Sequence, residues 1–220
     1  MTYDKALIIT GGDVDYHYPY KKNDQMVIAV DGGLAAVEKM GIKPDVIIGD
    51  FDTVSPEILK KYKTECDAEI IQLIPEKDDT DTEAAVCYAI EHEIRTIDIL
   101  GATGSRFDHT YANMFLLKRA CEQGVTIQLY TGLSKIYLIH GKKEYNRQDF
   151  FGKYISFLQF DGSALGVTLK GFKYNVSDFD FDTEKTYRLG VSNEPLEESA
   201  SITIREGYML AVESLEDKEK

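Results

Sequence analysis

Two aspartates separated by a single phenylalanine follow an apolar run in the stretch VIIGDFDTVSP. Asp50 and Asp52 would stand at the mouth of a buried strand, where carboxylates are rare unless they line a crevice. Two more, Asp78 and Asp81, lie in PEKDDTDTE after the next apolar run. Carboxylates brought together repel one another, which raises their pKa values unless a cation joins them. Because the set offers hard oxygen ligands without Cys or clustered His, it favours Mg²⁺ over zinc.

A glycine-rich segment, GATGSRFDH, follows a later apolar run. Gly101 and Gly104 would let the backbone approach a phosphate, and Arg106 offers a charged fork beside it. The segment ends in Asp108 and His109, and we expect Asp108 to cap the helix that follows. The chain contains neither the dinucleotide fingerprint nor a Walker A sequence. The residues alone therefore predict a Mg²⁺-dependent enzyme that acts on a phosphorylated ligand.

The elements that must position these residues alternate along the first part of the chain. Apolar runs lie at 6–10, 26–30, 45–49, 70–74, 96–100 and 126–130. Their continuous hydrophobicity is typical of strands covered on both faces, and helical patterns lie between them. This alternation predicts an open, mostly parallel, Rossmann-like α/β sheet. Since ligands bind beyond the carboxyl ends of such strands, the acids and glycines are expected to converge at one edge.

The last helix of this region is predicted to carry an apolar stripe at helical spacing. Its members are Tyr111, Met114, Phe115 and Cys121. A stripe of this kind usually faces the core, and we expect the same here.

The pattern changes after Leu133. Short runs rich in aromatic and β-branched residues are broken by Gly, Asn and Asp about every ten residues, which predicts an antiparallel β-sandwich or barrel. We therefore predict two domains, an α/β catalytic domain at 1–132 and a β-sandwich domain at 133–220. The fold class is α/β plus all-β.

Composition excludes several classes of function. The formal net charge of −13 disfavours binding to nucleic acid or to an anionic membrane. No apolar run approaches the ~20 residues of a membrane span. The N-terminus, MTYDKALIIT, has an acid before its apolar run and is not expected to be a signal peptide. Three scattered cysteines are interpreted as reduced thiols, and we expect a cytoplasmic protein.

The three acidic and glycine-rich motifs together resemble the thiamine pyrophosphokinase family. GDFDT, KDDTDTE and GATGSRFDH occur in that order and are followed by GVSNE in the β-rich region. The family pattern is close to G-D-x-D-S, D-x-x-T-D, G-x-x-G-G-R-x-D-H and S-N. The resemblance covers nearly the whole chain, and the motifs are specific as a set rather than singly.

The resemblance implies transfer of pyrophosphate from ATP to the hydroxyl of thiamine, with release of AMP, by a homodimer whose ligand site lies near the interface. It further implies the role of each motif residue. Asp50, Asp52 and Asp81 would hold Mg²⁺, with Asp78 beside them as a catalytic residue. Gly101, Gly104, Arg106, Asp108 and His109 would lie on the ATP side, and Ser192 and Asn193 on the thiamine side.

Two other functions remain open on the residues alone. A metal-dependent phosphohydrolase acting on a nucleotide or sugar phosphate would use the same carboxylates without thiamine. A non-catalytic nucleotide-binding module would bind ATP and Mg²⁺ without converting ATP to products.

Overall fold

The computed structural model describes residues 3–14, 18–21, 24–52, 54–74, 80–104, 106–185 and 188–215. The chain divides into two compact units, Met1–Gly132 and Leu133–Lys220. We call the first the parallel unit and the second the antiparallel unit, after their strand pairings. Within the described ranges, no helix combines the length and the apolar character that crossing a bilayer requires.

After the second strand, strands and helices alternate along the parallel unit as the apolar runs predicted, whereas the described residues between the first two strands form no helix. In chain order the elements are β1 (Lys5–Ile9), β2 (Met26–Val30), α1 (Gly33–Met40), β3 (Val46–Gly49), α2 (Pro56–Glu65), β4 (Glu69–Gln72), α3 (Asp81–Glu91), β5 (Thr96–Leu100), α4 (Phe107–Glu122) and β6 (Thr126–Tyr130). The strand order is β4-β3-β2-β1-β5-β6, and each neighbouring pair is parallel. The order changes direction between β1 and β5, which is where open sheets of this kind form a crevice.

The central strands are buried on both faces. Ala6, Leu7, Ile8 and Ile9 of β1 have no exposed surface, which explains their continuous apolar run. On one face, residues of β1, β2 and β3 form a core with α1. Burial of this kind is the main source of stability for the strand ends that carry the polar residues.

The starts of α2 and α3 follow the usual residue preferences of helix N-termini, whereas the start of α4 differs from the prediction. Pro56 occupies the first helical position of α2, and the Thr80 hydroxyl accepts a hydrogen bond from the Glu83 N–H at 3.1 Å at the start of α3. The expectation that Asp108 caps α4 is wrong. The helix already begins at Phe107 with Arg106 at the cap position, and the Asp108 carboxylate lies in the first turn beside the Arg106 guanidinium.

The expected apolar stripe of α4 is also wrong. The buried positions of this helix are Asn113, Leu116, Leu117 and Ala120. By contrast, Phe107, Tyr111 and Phe115 are 75%, 58% and 43% exposed. The buried and the exposed residues both repeat at helical spacing. The helix packs through the buried residues, which have the smaller side chains.

The antiparallel unit contains longer strands than its sequence predicted. Its elements are β7 (Ser134–Ile139), β8 (Lys142–Asn146), a 3₁₀ turn (Arg147–Asp149), β9 (Tyr154–Lys170), β10 (Val176–Phe181), β11 (Gly190–Asn193), β12 (Ser199–Thr203) and β13 (Glu206–Ser214). The first half of β9 pairs with β13 and β11, and its second half pairs with β10 and β12. Asp161 and Gly162 have φ values of 55° and 113°, so the strand bends there instead of ending.

Aromatic side chains fill the interior of the antiparallel unit. Phe157, Phe172 and Phe181 are at most 3% exposed and belong to one core with Ile155 and Met209. Phe150 and Phe179 pack against this core, whereas Tyr154 and Tyr174 remain exposed.

Candidate active site

The ends of two neighbouring strands bring three carboxylates together. Asp50 and Asp52 follow β3, and Asp31 follows β2, which pairs with β3 in parallel. One oxygen from each carboxylate lies within 4.8 Å of the other two. We call these three residues the carboxylate cluster. The sequence predicted Asp50 and Asp52 but missed Asp31, although the Asp-Gly-Gly that follows β2 was the available signal.

Backbone geometry holds the cluster in place. The Asp31 N–H donates to the Ile48 carbonyl at 3.0 Å, which ties the end of β2 to β3. The Asp52 N–H donates to Asp50 Oδ1 at 3.1 Å. Phe51 lies between these two acids with a φ of 64°, in the left-handed region that few non-glycine residues adopt. The two acids therefore share one side of the loop.

The electrostatics of the cluster favour a cation. The negative charge of Asp50, followed by burial and by the charge of Asp31, raises the pKa of Asp52 above its ordinary value. Asp81 adds to the same effect from the start of α3. Three carboxylates in one cluster suit a hard divalent ion such as Mg²⁺, which is usually held by few carboxylates and completes its shell with water and phosphate. Asp78, the fourth predicted acid, lies outside the described residues.

A pocket of about 410 Å³ opens beside the cluster. This volume falls within the range of small-molecule sites, roughly 300–1,000 Å³. Asp31 and Asp81 line it, together with segments that follow β1, β2 and β5 and the first turns of α3 and α4. The lining residues are Thr10, Gly11, Gly12, Val30, Asp31, Gly32, Thr80, Asp81, Thr82, Gly101, Ala102, Thr103, Gly104, Arg106, His109, Thr110 and Asn113.

Close backbone packing shapes one wall of the pocket. Gly101 has a φ of 75°, and a Cβ at this position would lie 2.5 Å from the Thr10 carbonyl oxygen. At Gly12 a Cβ would lie 2.2 Å from the carbonyl oxygens of Gly101 and Thr103. Only glycine fits at either position, because two backbone segments pack directly against each other there. The sequence predicted Gly101 and Gly104 and missed Gly12.

Side chains of α4 complete this wall. The Arg106 guanidinium forms a forked ion pair with Asp108, with Nη2–Oδ2 at 2.5 Å and Nε–Oδ1 at 3.3 Å. This pairing lowers the pKa of Asp108. Arg106 and His109 line the pocket, whereas Asp108 is not among its lining residues and pairs with Arg106. Asn113 was missed by the sequence reasoning, and its side-chain amide donates to the Ala102 carbonyl at 2.8 Å, which fixes the glycine-rich segment.

The two polar residues predicted in the antiparallel unit differ in their surroundings. Ser192 is exposed on β11. Asn193 is 3% exposed, and its amide accepts from the Tyr174 N–H at 2.9 Å and donates to the Tyr174 carbonyl at 2.8 Å. The Asn193 side chain thus holds the backbone of Tyr174, while the Ser192 hydroxyl faces solvent.

Family comparisons match both units of the chain. The model described as "Thiamin pyrophosphokinase, catalytic domain" matches residues 18–129. The model described as "Thiamin pyrophosphokinase, vitamin B1 binding domain" matches residues 137–209. These matches favour the transferase over the phosphohydrolase and the binding module that the residues alone left open.

Individual relatives agree with the family models. The thiamine pyrophosphokinase of Bacillus subtilis (strain 168) is 28% identical over 195 residues, which cover 89% of this chain and 90% of the relative. Thiamine pyrophosphokinase 1 of Oryza sativa subsp. japonica is 28% identical over 176 residues, which cover 75% of this chain and 64% of the relative.

Solved structures show the same fold. The Bacillus subtilis thiamine pyrophosphokinase superposes with a TM-score of 0.85 at 25% identity, covering 96% of this chain and 99% of the other. The Geobacillus thermodenitrificans thiamin pyrophosphokinase gives 0.84 at 26% identity, with 97% and 99% covered. The Candida albicans thiamin pyrophosphokinase gives 0.80 at 17% identity, with 97% and 90% covered, and shows the fold alone.

Proposed function

This chain belongs to the thiamin pyrophosphokinase family, and we propose that the 410 Å³ pocket beside the carboxylate cluster is its ATP site. The enzyme transfers pyrophosphate from ATP to the hydroxyl of thiamine, giving thiamine diphosphate and AMP. The observation that carries the assignment of the site is the meeting of Asp31, Asp50 and Asp52 within 4.8 Å at the edge of a glycine-lined pocket.

We propose that the carboxylate cluster, with Asp81 at the start of α3, binds Mg²⁺. The donor set is composed of carboxylate oxygens, and the raised pKa of Asp52 reflects negative charge that a cation would offset. When bound, Mg²⁺ would neutralise charge on the phosphate oxygens of ATP. Asp78 remains a predicted member of this set. Any of these carboxylates that is not bound to the ion is available to accept the thiamine hydroxyl proton.

The opposite wall of the pocket is suited to phosphate. Gly101 and Gly104 line the pocket, and so do residues at the starts of α3 and α4, where a helix N-terminus favours an anion. Arg106 would contribute a forked cation, held in orientation by Asp108, with His109 beside it. These groups would stabilise the charge that develops when the thiamine hydroxyl attacks the β-phosphorus and AMP leaves.

Thiamine recognition is assigned to the antiparallel unit. The exposed Ser192 hydroxyl can donate to and accept from the aminopyrimidine, whose edge has both kinds of group. Asn193 would support the same region through the Tyr174 backbone. For the fold detail, we propose a Rossmann-like arrangement in the parallel unit and a sandwich in the antiparallel unit, whose core joins residues from both halves of β9.

A homodimer with a ligand site near the interface is part of the proposal. The ridge formed by Phe107, Tyr111 and Phe115 supports it, because the three rings contact one another in a row on α4 and are exposed. Aromatic side chains are enriched at protein interfaces. Sedimentation should give about 50 kDa, twice the 24.8 kDa chain. A single species near the mass of one chain at micromolar concentration would remove the dimer from the proposal.

Location and partners follow from charge and cysteines. None of the three cysteines, all of which lie in the described ranges, forms a disulfide, which fits a reducing compartment, and we propose a cytoplasmic enzyme. A net charge of −13 disfavours nucleic acid and anionic membrane as partners, and the family matches support ATP and thiamine.

The decisive experiment for this function measures AMP with purified protein, ATP and Mg²⁺, in the presence and absence of thiamine. AMP release that depends on both thiamine and Mg²⁺ is expected. Release of phosphate without thiamine would instead indicate a hydrolase.

A further inference from the structure

The residue between the two aspartates of the cluster has an unusual backbone. Phe51 has a φ of 64°, and Asp31 has a φ of 42°. The described non-glycine residues with positive φ are Asp31, Phe51, Glu93, Asp161 and Asp178. An aromatic residue disfavours this region, so the surrounding structure must hold Phe51 in it.

The side chain of Phe51 provides that constraint. The ring is 9% exposed and belongs to the core that also contains Leu34 and Ile47. The Lys63 ammonium of α2 lies over the ring, 6.0 Å from its centroid. Removing the ring from this position would expose apolar surface, and burial therefore opposes any change of backbone conformation.

The backbone of Phe51 sets the direction of the next residue. With this backbone, the Asp52 N–H reaches Asp50 Oδ1, and the Asp52 carboxylate reaches Asp31 as well as Asp50. An extended backbone at Phe51 would change the direction of the chain after it, and the three carboxylates would no longer lie close together. Core filling alone does not require the left-handed conformation, whereas the convergence of the acids does.

We infer that Phe51 is a positioning residue for the Mg²⁺ site: its buried ring locks the left-handed turn that delivers Asp52 to the carboxylate cluster. The inference rests on the proposed function of the cluster. It assigns to the side chain between the acids a role in metal affinity, which is distinct from its contribution to stability.

The test measures the dissociation constant of Mn²⁺, an ion with a similar preference for oxygen ligands, on purified protein without nucleotide. Phe51→Gly permits the left-handed backbone but removes the buried ring that holds it. We expect the affinity for Mn²⁺ to fall about tenfold or more. Phe51→Leu keeps an anchor and should stay close to the wild type. Phe51→Ile keeps apolar volume but is β-branched, which disfavours a positive φ, and should bind more weakly than Phe51→Leu.

Tyr62→Ala provides the matched control, because Tyr62 is 8% exposed, belongs to the same core and is not a member of the carboxylate cluster. It should lower the melting temperature without changing Mn²⁺ affinity. Wild-type affinity in Phe51→Gly would overturn the inference. If that variant does not fold, equal affinities for the Leu and Ile variants would overturn it. Absence of Mn²⁺ binding by the wild type would instead overturn the metal site itself, and the inference with it.

Discussion

Asp31 and Asp52 follow different strands of the parallel unit, yet their carboxylate oxygens lie within 4.8 Å of each other. Two like charges at this separation oppose folding unless a proton or a cation reduces the repulsion. An arrangement that costs stability is typically retained at a functional site.

The first prediction concerns the metal-free protein. Asp52→Asn should raise the melting temperature at neutral pH, because it removes one of the repelling charges. The pKa of Asp52 is raised above its ordinary value of 3.8, so the carboxyl stabilises the fold in its protonated form and loses that contribution as pH rises through the raised pKa. The advantage of the variant should therefore shrink as pH falls through the same range.

Melting curves in chelator between pH 4 and 8 would measure this. Asp67→Asn is the matched control, because Asp67 is fully exposed and pairs only distantly with Lys43, at 3.6 Å. A lower melting temperature for Asp52→Asn at pH 7 would show that the Asp52 carboxylate stabilises the fold and would contradict the repulsion argument.

The second prediction concerns Asp31, which the sequence reasoning left out of the site. Asp31→Asn should reduce the rate of AMP release by about 100-fold, as Asp52→Asn and Asp81→Asn should, since each removes a preorganised charge. Steady-state kinetics at saturating Mg²⁺ would measure it. Turnover near that of the wild type in Asp31→Asn would restrict the metal site to the acids named from the sequence.

The sequence was sufficient for the parallel unit because strands buried on both faces show as continuous apolar runs. It was insufficient for Asp31, because one acid before two glycines is equally typical of a turn. On α4 two apolar stripes compete, and only tertiary packing decides that Leu116 rather than Tyr111 is buried. In the antiparallel unit, glycines and acids were expected to separate short strands, whereas β9 bends at Asp161 and Gly162 and continues.

The third prediction separates ATP binding from thiamine binding. Arg106→Lys keeps the charge but loses the fork that pairs with Asp108, and should raise the KM for ATP about tenfold with little change in the KM for thiamine. Arg205→Lys is the control, because Arg205 forms a comparable exposed pair with Asp178 at 2.6 Å. Equal effects on both substrates in Arg106→Lys would argue against a phosphate contact.

The fourth prediction separates the two residues of the thiamine side. Ser192→Ala together with Asn193→Ala should weaken thiamine binding while ATP–Mg²⁺ binding stays nearly intact. Alone, Ser192→Ala should leave the melting temperature unchanged, because the hydroxyl is exposed. Asn193→Ala should lower stability by about 1–3 kcal/mol, because it leaves the Tyr174 backbone groups unpaired.

Calorimetric titration with each ligand and melting curves would measure these effects. Ser199→Ala, also at an exposed position, is the control. Equal losses of both ligands in the double variant would show that GVSNE holds the fold and does not contact the substrate.

The most direct test of the central claim follows the fate of both terminal phosphates of ATP. Purified protein is incubated with thiamine, Mg²⁺ and ATP labelled in the γ-phosphate, and the products are separated. We expect the label in thiamine diphosphate, with AMP formed in equal amount and no product when thiamine is omitted. Label in free phosphate together with ADP, formed at the same rate without thiamine, would contradict pyrophosphate transfer.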